Sequence, residues 1–222
     1  MYKKVFALIA LFALLMLACS PGTPDATETQ APPPPSNIIF QDDFSDPNSG
    51  WEVGDYGSGS VGYENGYYFV IGTGAGVNMY GAAGKSFGDA IISVDATAVQ
   101  GPSNDNNGYG IICRKDPDPS SDNGYYLRIS ADGYYSIAKA DENGFTDLVE
   151  WTESSTVNQG TRSNTIVASC IGSTLKLEVN GEVLAQATDS TYSSGDIALI
   201  AVVYEEGSIT KVQFDNLVVR KP

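Results

Sequence analysis

From Asn37 to the C-terminus, apolar and polar residues alternate in short runs that are cut by Gly, Asn, Asp and Ser. A period of two marks a half-buried strand, and no long window repeats its apolar residues at three and four as an amphipathic helix does. The clearest runs cover residues 38–44, 67–71, 90–99, 109–114, 125–130, 134–138, 165–171, 175–179, 197–204 and 212–219. Ten or more strands, with no helices to make parallel crossovers, predict an all-β fold: an antiparallel two-sheet jelly-roll sandwich over residues 37–222. No internal repeat of about 20–50 residues is visible, which counts against a propeller or a solenoid.

Two hairpins can be read residue by residue. Residues 175–179 meet residues 182–184 across Asn180-Gly181, a pair that tolerates the positive φ angles of a type I′ turn. That register sets Leu177 opposite Leu184 on the core side. The second hairpin turns at Ala131-Asp132-Gly133, with Gly133 left-handed, and sets Ile129 opposite Tyr135 and Leu127 opposite Ile137. Its other face carries Tyr126, Arg128, Ser130, Tyr134 and Ser136. A tyrosine offers a flat apolar ring with a hydroxyl, and an arginine offers forked donors, so this face suits a saccharide. A solvated strand surface would use the same residue types. Arg114 joins the set if Ile111 and Cys113 point inward. Trp151 either lines the same surface or fills an edge, and Trp51 packs the first loop.

The N-terminal segment breaks the alternation. Lys3 and Lys4 precede an unbroken apolar run over residues 5–18. That is short of the about 20 residues a spanning helix needs and fits a secretory signal. The run ends in Leu15-Met16-Leu17-Ala18-Cys19, which resembles a bacterial lipobox, although Met16 and Leu17 depart from the usual Leu followed by a small residue. The resemblance implies cleavage after residue 18 and a diacylglyceryl group on Cys19. Residues 19–36 are rich in Pro and Thr, have little to bury, and are expected to form a disordered, stiff spacer. The expectation is an exported protein, lipid-anchored to the cell envelope, with its domain outside the cytoplasm.

Composition narrows the chemistry. There is no histidine among the 222 residues, so His-based catalytic pairs and His-ligated zinc, copper or haem are excluded. Three cysteines are too few for a Cys₄ site. A formal charge of −15 argues against nucleic acid and against a basic membrane-docking patch. The membrane is therefore reached through the Cys19 lipid only. Cys113 and Cys170 both fall in strands, and an oxidising compartment makes them a natural disulfide, with two buried free thiols as the alternative.

Certain segments, taken in order, resemble a known superfamily. Residues 40–51 read FQDDFSDPNSGW, residues 108–114 GYGIICR, residues 124–129 GYYLRI, residues 175–181 LKLEVNG and residues 212–219 VQFDNLVV. Their order is similar to that of the concanavalin A-like lectin/glucanase superfamily, especially its laminin-G-like and 3-keto-disaccharide-hydrolase-like branches. The resemblance implies a jelly roll that hosts lectins, glycosidases and adhesion modules alike. Retaining glucanases of that superfamily carry Glu-x-Asp-x-(x)-Glu on one strand, which sets two carboxylates about 5–5.5 Å apart. No such motif occurs here: Glu150 and Glu153 have an odd spacing, and Glu178 and Glu182 flank a turn. The resemblance also implies a structural Ca²⁺ between Asp42 or Asp43 and Asp215, against which stand ordinary turn and backbone roles for these acids. No other cofactor is expected. The reading is a non-catalytic, carbohydrate-binding or carbohydrate-sensing lipoprotein with Tyr126, Arg128, Tyr134, Arg114 and Trp151 at its site. An Asp/Glu hydrolase and a module for another envelope protein are the alternatives.

Overall fold

The computed structural model describes residues 37–222, so the expected signal sequence, the expected lipidation of Cys19 and the expected linker lie outside the described residues. Among the described residues every regular element is a strand. In chain order these are β1 (Ile38–Asp42), β2 (Gly54–Asp55), β3 (Gly59–Glu64), β4 (Tyr67–Thr73), β5 (Val77–Phe87), β6 (Ala90–Gln100), β7 (Asn107–Lys115) and β8 (Gly124–Ile129). They continue with β9 (Tyr134–Asp141), β10 (Gly144–Glu153), β11 (Asn164–Ile171), β12 (Thr174–Val179), β13 (Glu182–Thr188), β14 (Gly195–Val203) and β15 (Ile209–Arg220). They form two antiparallel sheets. The larger runs β13-β12-β11-β6-β15-β4-β3-β2, with β1 also on β15, and the smaller runs β10-β9-β8-β7-β14-β5. The predicted sandwich is the observed one.

Both hairpins form. Asn180 and Gly181 have φ of 51° and 85°, as a type I′ turn needs. The register differs from expectation by one step: a bulge after Leu177 sets that residue opposite Ala185, with Glu178 opposite Val183. Leu184 thereby loses Leu177 as its partner but stays packed against the core, partly buried. The β8–β9 hairpin keeps its expected register, with Ile129 opposite Tyr135 and Leu127 opposite Ile137.

The larger sheet alternates buried and half-buried positions, as β6 and β15 illustrate, because only one face is covered. The interior between the sheets is filled by residues such as Ile92, Val94, Ile111, Leu127, Ile166, Leu177 and Phe214. Near the first strand Phe44, Trp51 and Tyr68 form a ring cluster with centroids 5.2–5.6 Å apart. Trp51 therefore packs the first loop, as expected. The Cys113–Cys170 disulfide forms and ties β7 of the smaller sheet to β11 of the larger.

The smaller sheet behaves differently. Every residue of β7, β8 and β14 is buried. Its outer face holds a second apolar cluster of Ile112, Tyr126, Ala138, Ala140, Ala198, Ile200 and Val202, with Tyr80 and Ala82 packed against it. An antiparallel sheet buried on both faces must be plated by something on its outer side. The plating decides where a ligand can reach.

Candidate functional site

The residues expected to bind divide into those that plate this outer face and those that border an opening. Tyr126 plates. It is fully buried, with Phe145 edge-on at 4.9 Å and its hydroxyl donating to the Asp122 carbonyl at 2.6 Å. Burial pushes its phenol well above the usual range. It therefore cannot serve as the exposed platform expected from the alternation. Alternation fixes the face on which a side chain lies, and here the face is covered.

Arg114 is not on that face. It has φ of 54°, and a bulge between β7 and β14 at this point sends its side chain toward the larger sheet. Its Nη1 donates to the carbonyls of Gly172 and Tyr192, both at 2.8 Å. Its Nη2 donates to the Cys170 carbonyl at 3.1 Å and to Asp89 at 3.0 Å. This is an inter-sheet bolt beside the disulfide.

Arg128, Tyr134 and Trp151 do converge. Arg128 is buried, lies 5.1 Å over the Trp151 ring, and faces the Asp147 carboxylate at 3.7 Å. Trp151 meets Tyr204 edge-on at 6.2 Å. These two rings and Tyr134 border a 340 Å³ cavity whose remaining wall is Asn106, Asn107, Ser130 and Asp132. The β8–β9 turn supplies its floor. Gly133 is left-handed at φ 99°, so Asp132 and Tyr134 come up on either side of it. Asn107 is fixed by accepting from the Ala131 N–H at 3.1 Å. Its Nδ2 has no protein partner, nor has Asp132 Oδ1 in the same wall. Unpaired buried polar atoms are rare in native folds, and a donor and an acceptor left over beside one opening are what a hydroxylated ligand would satisfy.

Tyr204, Asn107 and Asp132 are not expected at this site from the sequence, where Asp132 reads only as part of the turn. Tyr204 was within reach, because it continues the row Ala198, Ile200, Val202 on the outer face of β14. Its hydroxyl lies where a Cβ on Gly108 would come within 2.8 Å, so the glycine lets the ring lie against β7. Burial raises its phenol; Arg128 opposes this, while Asp147 and Asp132 add to it.

The expected cation ligands lie at the seam of β1 and β15, where Asp42 pairs with Leu217 and the two ends of the domain meet. Asp43 accepts from the Ser45 hydroxyl at 2.7 Å and its N–H at 3.1 Å, which holds its carboxyl below the usual value. Asp215 accepts from the Asn216 N–H at 2.7 Å. Its carboxyl is raised by burial and by the charges of Asp95 and Asp43, with the Asn216 bond opposing. Asp42 Oδ1 accepts from the Phe44 N–H at 2.8 Å, and its Oδ2 is buried without a protein partner. Among the described residues no group of three or more His, Cys, Asp or Glu is placed to hold a metal ion.

No protein-family model matches the chain, and no curated protein sequence does either. Solved structures resemble it at the level of the fold. The carbohydrate-binding module CBM66 from Bacillus subtilis superposes with a TM-score of 0.62 at 16% identity, covering 85% of this chain and 100% of that one. A Bacillus licheniformis β-glucanase gives 0.59 at 12% identity over 82% of this chain and 98% of its own. A Bacillus subtilis protein of unknown function with a galectin-like fold gives 0.58 at 13% over 83% and 96%. The chain thus has the concanavalin A-like sandwich fold that its segments resembled.

Proposed function

We propose that this protein is a non-catalytic, carbohydrate-binding module, exported and held at the cell envelope by a lipid on Cys19. The observation that carries the reading is the 340 Å³ cavity, where three aromatic residues, Trp151, Tyr204 and Tyr134, stand around unpaired polar atoms. Aromatic rings stack on the apolar faces of pyranose rings, and an amide donor and a carboxylate acceptor select the orientation of hydroxyls. The fold neighbours include a carbohydrate-binding module, which supports the same reading. Asp147 faces Arg128 at 3.7 Å, which favours a structural role for it over an acid–base one. A structural calcium between Asp42 or Asp43 and Asp215 belongs to the same proposal, with backbone carbonyls and water making up the oxygens that these acids do not supply.

A glycan-array screen of the purified protein, with and without calcium, followed by titration of the best hit, tests it. Trp151→Ala and Tyr204→Ala should each weaken binding by about tenfold or more. The binding reading fails if no glycan binds or if both variants bind as tightly as the parent. Release of reducing ends from the bound glycan would replace it with a hydrolase. Loss of a lipid-sized mass in Cys19→Ser checks the anchor.

A further inference from the structure

A larger cavity, of 560 Å³, lies at the opposite end of the same outer face, where β7 ends, β14 begins and the loop before β2 folds over β5. Its walls combine two tyrosines, Tyr56 and Tyr80, with four carboxylates, Glu52, Asp116, Asp122 and Asp196, and one ammonium, that of Lys115. The Lys115 ammonium donates to the carbonyls of Asp116 at 2.8 Å, Ser121 at 3.0 Å and Asp118 at 3.4 Å. All three of its protons are used within the loop. None of the four carboxylates takes part in an ion pair among the described residues. The wall therefore carries a surplus of negative charge that the protein does not neutralise.

We infer that this cavity is a second binding site, and that its ligand is an organic cation carrying a protonated or quaternary amine. Three observations select that chemistry. An anionic ligand would be repelled by four carboxylates, and a neutral sugar, which could donate hydroxyls to them, would leave their charge uncompensated. A compact metal ion requires its oxygens to converge, and no group of three acids among the described residues does so. A diffuse negative wall set with aromatic faces is instead the environment that holds bulky ammonium groups, through cation–π attraction and long-range charge. The protein provides its own example in the same wall: the Lys115 ammonium sits 4.6 Å from the centre of the Tyr80 ring. Tyr56 leaves a second ring half-exposed at the rim, held by its hydroxyl donating to Glu52 at 2.5 Å. The floor is rigid. Asp196 accepts from the backbone N–H groups of Gly84 and Lys85, both at 2.9 Å, and Glu52 from that of Ala82 at 3.2 Å.

The test titrates the purified protein with choline and with glucosamine, using glucose and N-acetylglucosamine as uncharged counterparts, and reads tyrosine ring shifts by NMR. Both amines should bind about tenfold or more tightly than the uncharged sugars. Tyr56→Ala and Asp122→Asn should each weaken amine binding by about fivefold, and both residues are exposed enough to leave the fold unchanged. Trp151→Ala should leave amine binding intact, so that failure here and failure of the carbohydrate site are separable. Measured in Trp151→Ala, where the carbohydrate site is disabled, equal binding of the uncharged sugars would overturn the inference, as would indifference to both Tyr56→Ala and Asp122→Asn or loss of amine binding in Trp151→Ala.

Discussion

Replacing Arg114 by alanine should destabilise the fold far more than it affects ligand binding. The side chain is buried and makes four hydrogen bonds that span β7, the end of β11 and the segment before β14. The acceptors differ in what they lose. The Cys170 carbonyl is buried and would lose a charged donor, at about 1–3 kcal/mol. The Gly172 and Tyr192 bonds are partly exposed, so water can replace much of each. Asp89 is half-exposed, and its pairing is worth at most about 1 kcal/mol. Together the loss is about 2–4 kcal/mol, most of it at the buried end of the side chain. Urea unfolding under non-reducing conditions, followed by tryptophan fluorescence, measures it with the disulfide intact. Arg114→Lys keeps the charge but offers donors from a single point and should recover about half. Glycan affinity of the folded alanine variant should stay within about twofold of the parent. A stability change below about 1 kcal/mol, or a selective loss of glycan binding, would refute the assignment of Arg114 as a bolt.

Other expectations concern the bridge, the pH response and one glycine. Reducing the Cys113–Cys170 disulfide, or Cys113→Ser with Cys170→Ser, should cost about 2–4 kcal/mol in the same assay. Asp189 and Asp141 are both held below the ordinary 3.8. Burial pushes Asp189 up, but the Tyr125 hydroxyl and Thr191 outweigh it; for Asp141 the Asn143 N–H and Lys139 pull down. Their contribution is complete above pH 3.8 and is lost as the pH falls through their depressed values. Asp196, raised chiefly by burial, works in reverse: the cost of its charge is present above its raised value and disappears as the pH falls toward 3.8. The thermal midpoint should therefore peak in mildly acidic solution and fall on both sides, and Asp196→Asn should flatten the neutral side; a steady rise from pH 3.8 to neutrality would contradict this. Gly108→Ala places a Cβ 2.8 Å from the Tyr204 hydroxyl and 3.2–3.3 Å from the buried Val202 side chain, so calorimetric titration should show weakened glycan binding together with a lowered melting temperature.

The strands and the order of the hairpins were legible because alternation and turn chemistry are local. The strands that alternation missed are those whose composition hides it. β5 reads VNMYGAAGKSF, and its Gly81 is there because the Tyr68 hydroxyl fills the space of a side chain. β10 reads GFTDLVEWTE and is mostly exposed, so no apolar row announces it. Of the candidate site, the face was legible and its accessibility was not. Tyr126 and Tyr134 lie on one face of one hairpin, yet Phe145 and the Asp122 carbonyl cover the first and leave the second open. The 560 Å³ cavity was invisible for a different reason: residues 50–56 and 115–122 meet only once the sandwich has closed.

One backbone feature links these observations. Strict alternation along β7 would send Cys113 inward, Arg114 outward and Lys115 inward. The left-handed turn of the chain at Arg114 breaks that order, so Cys113 and Arg114 both face the larger sheet. Lys115 is thereby released to the outer face, where it packs on Tyr80 and gathers the Asp116, Asp118 and Ser121 carbonyls. The loop so gathered presents the Asp122 carbonyl to Tyr126, which completes the plating of the outer face. With its middle sealed, that face carries a cavity at each end, one lined by amides, an indole, two phenols and a single carboxylate, the other by four carboxylates, two phenols and an ammonium. The bulge at Arg114 thus fixes three things together: the bolt between the sheets, the seal over Tyr126, and the chemical difference between the two cavities.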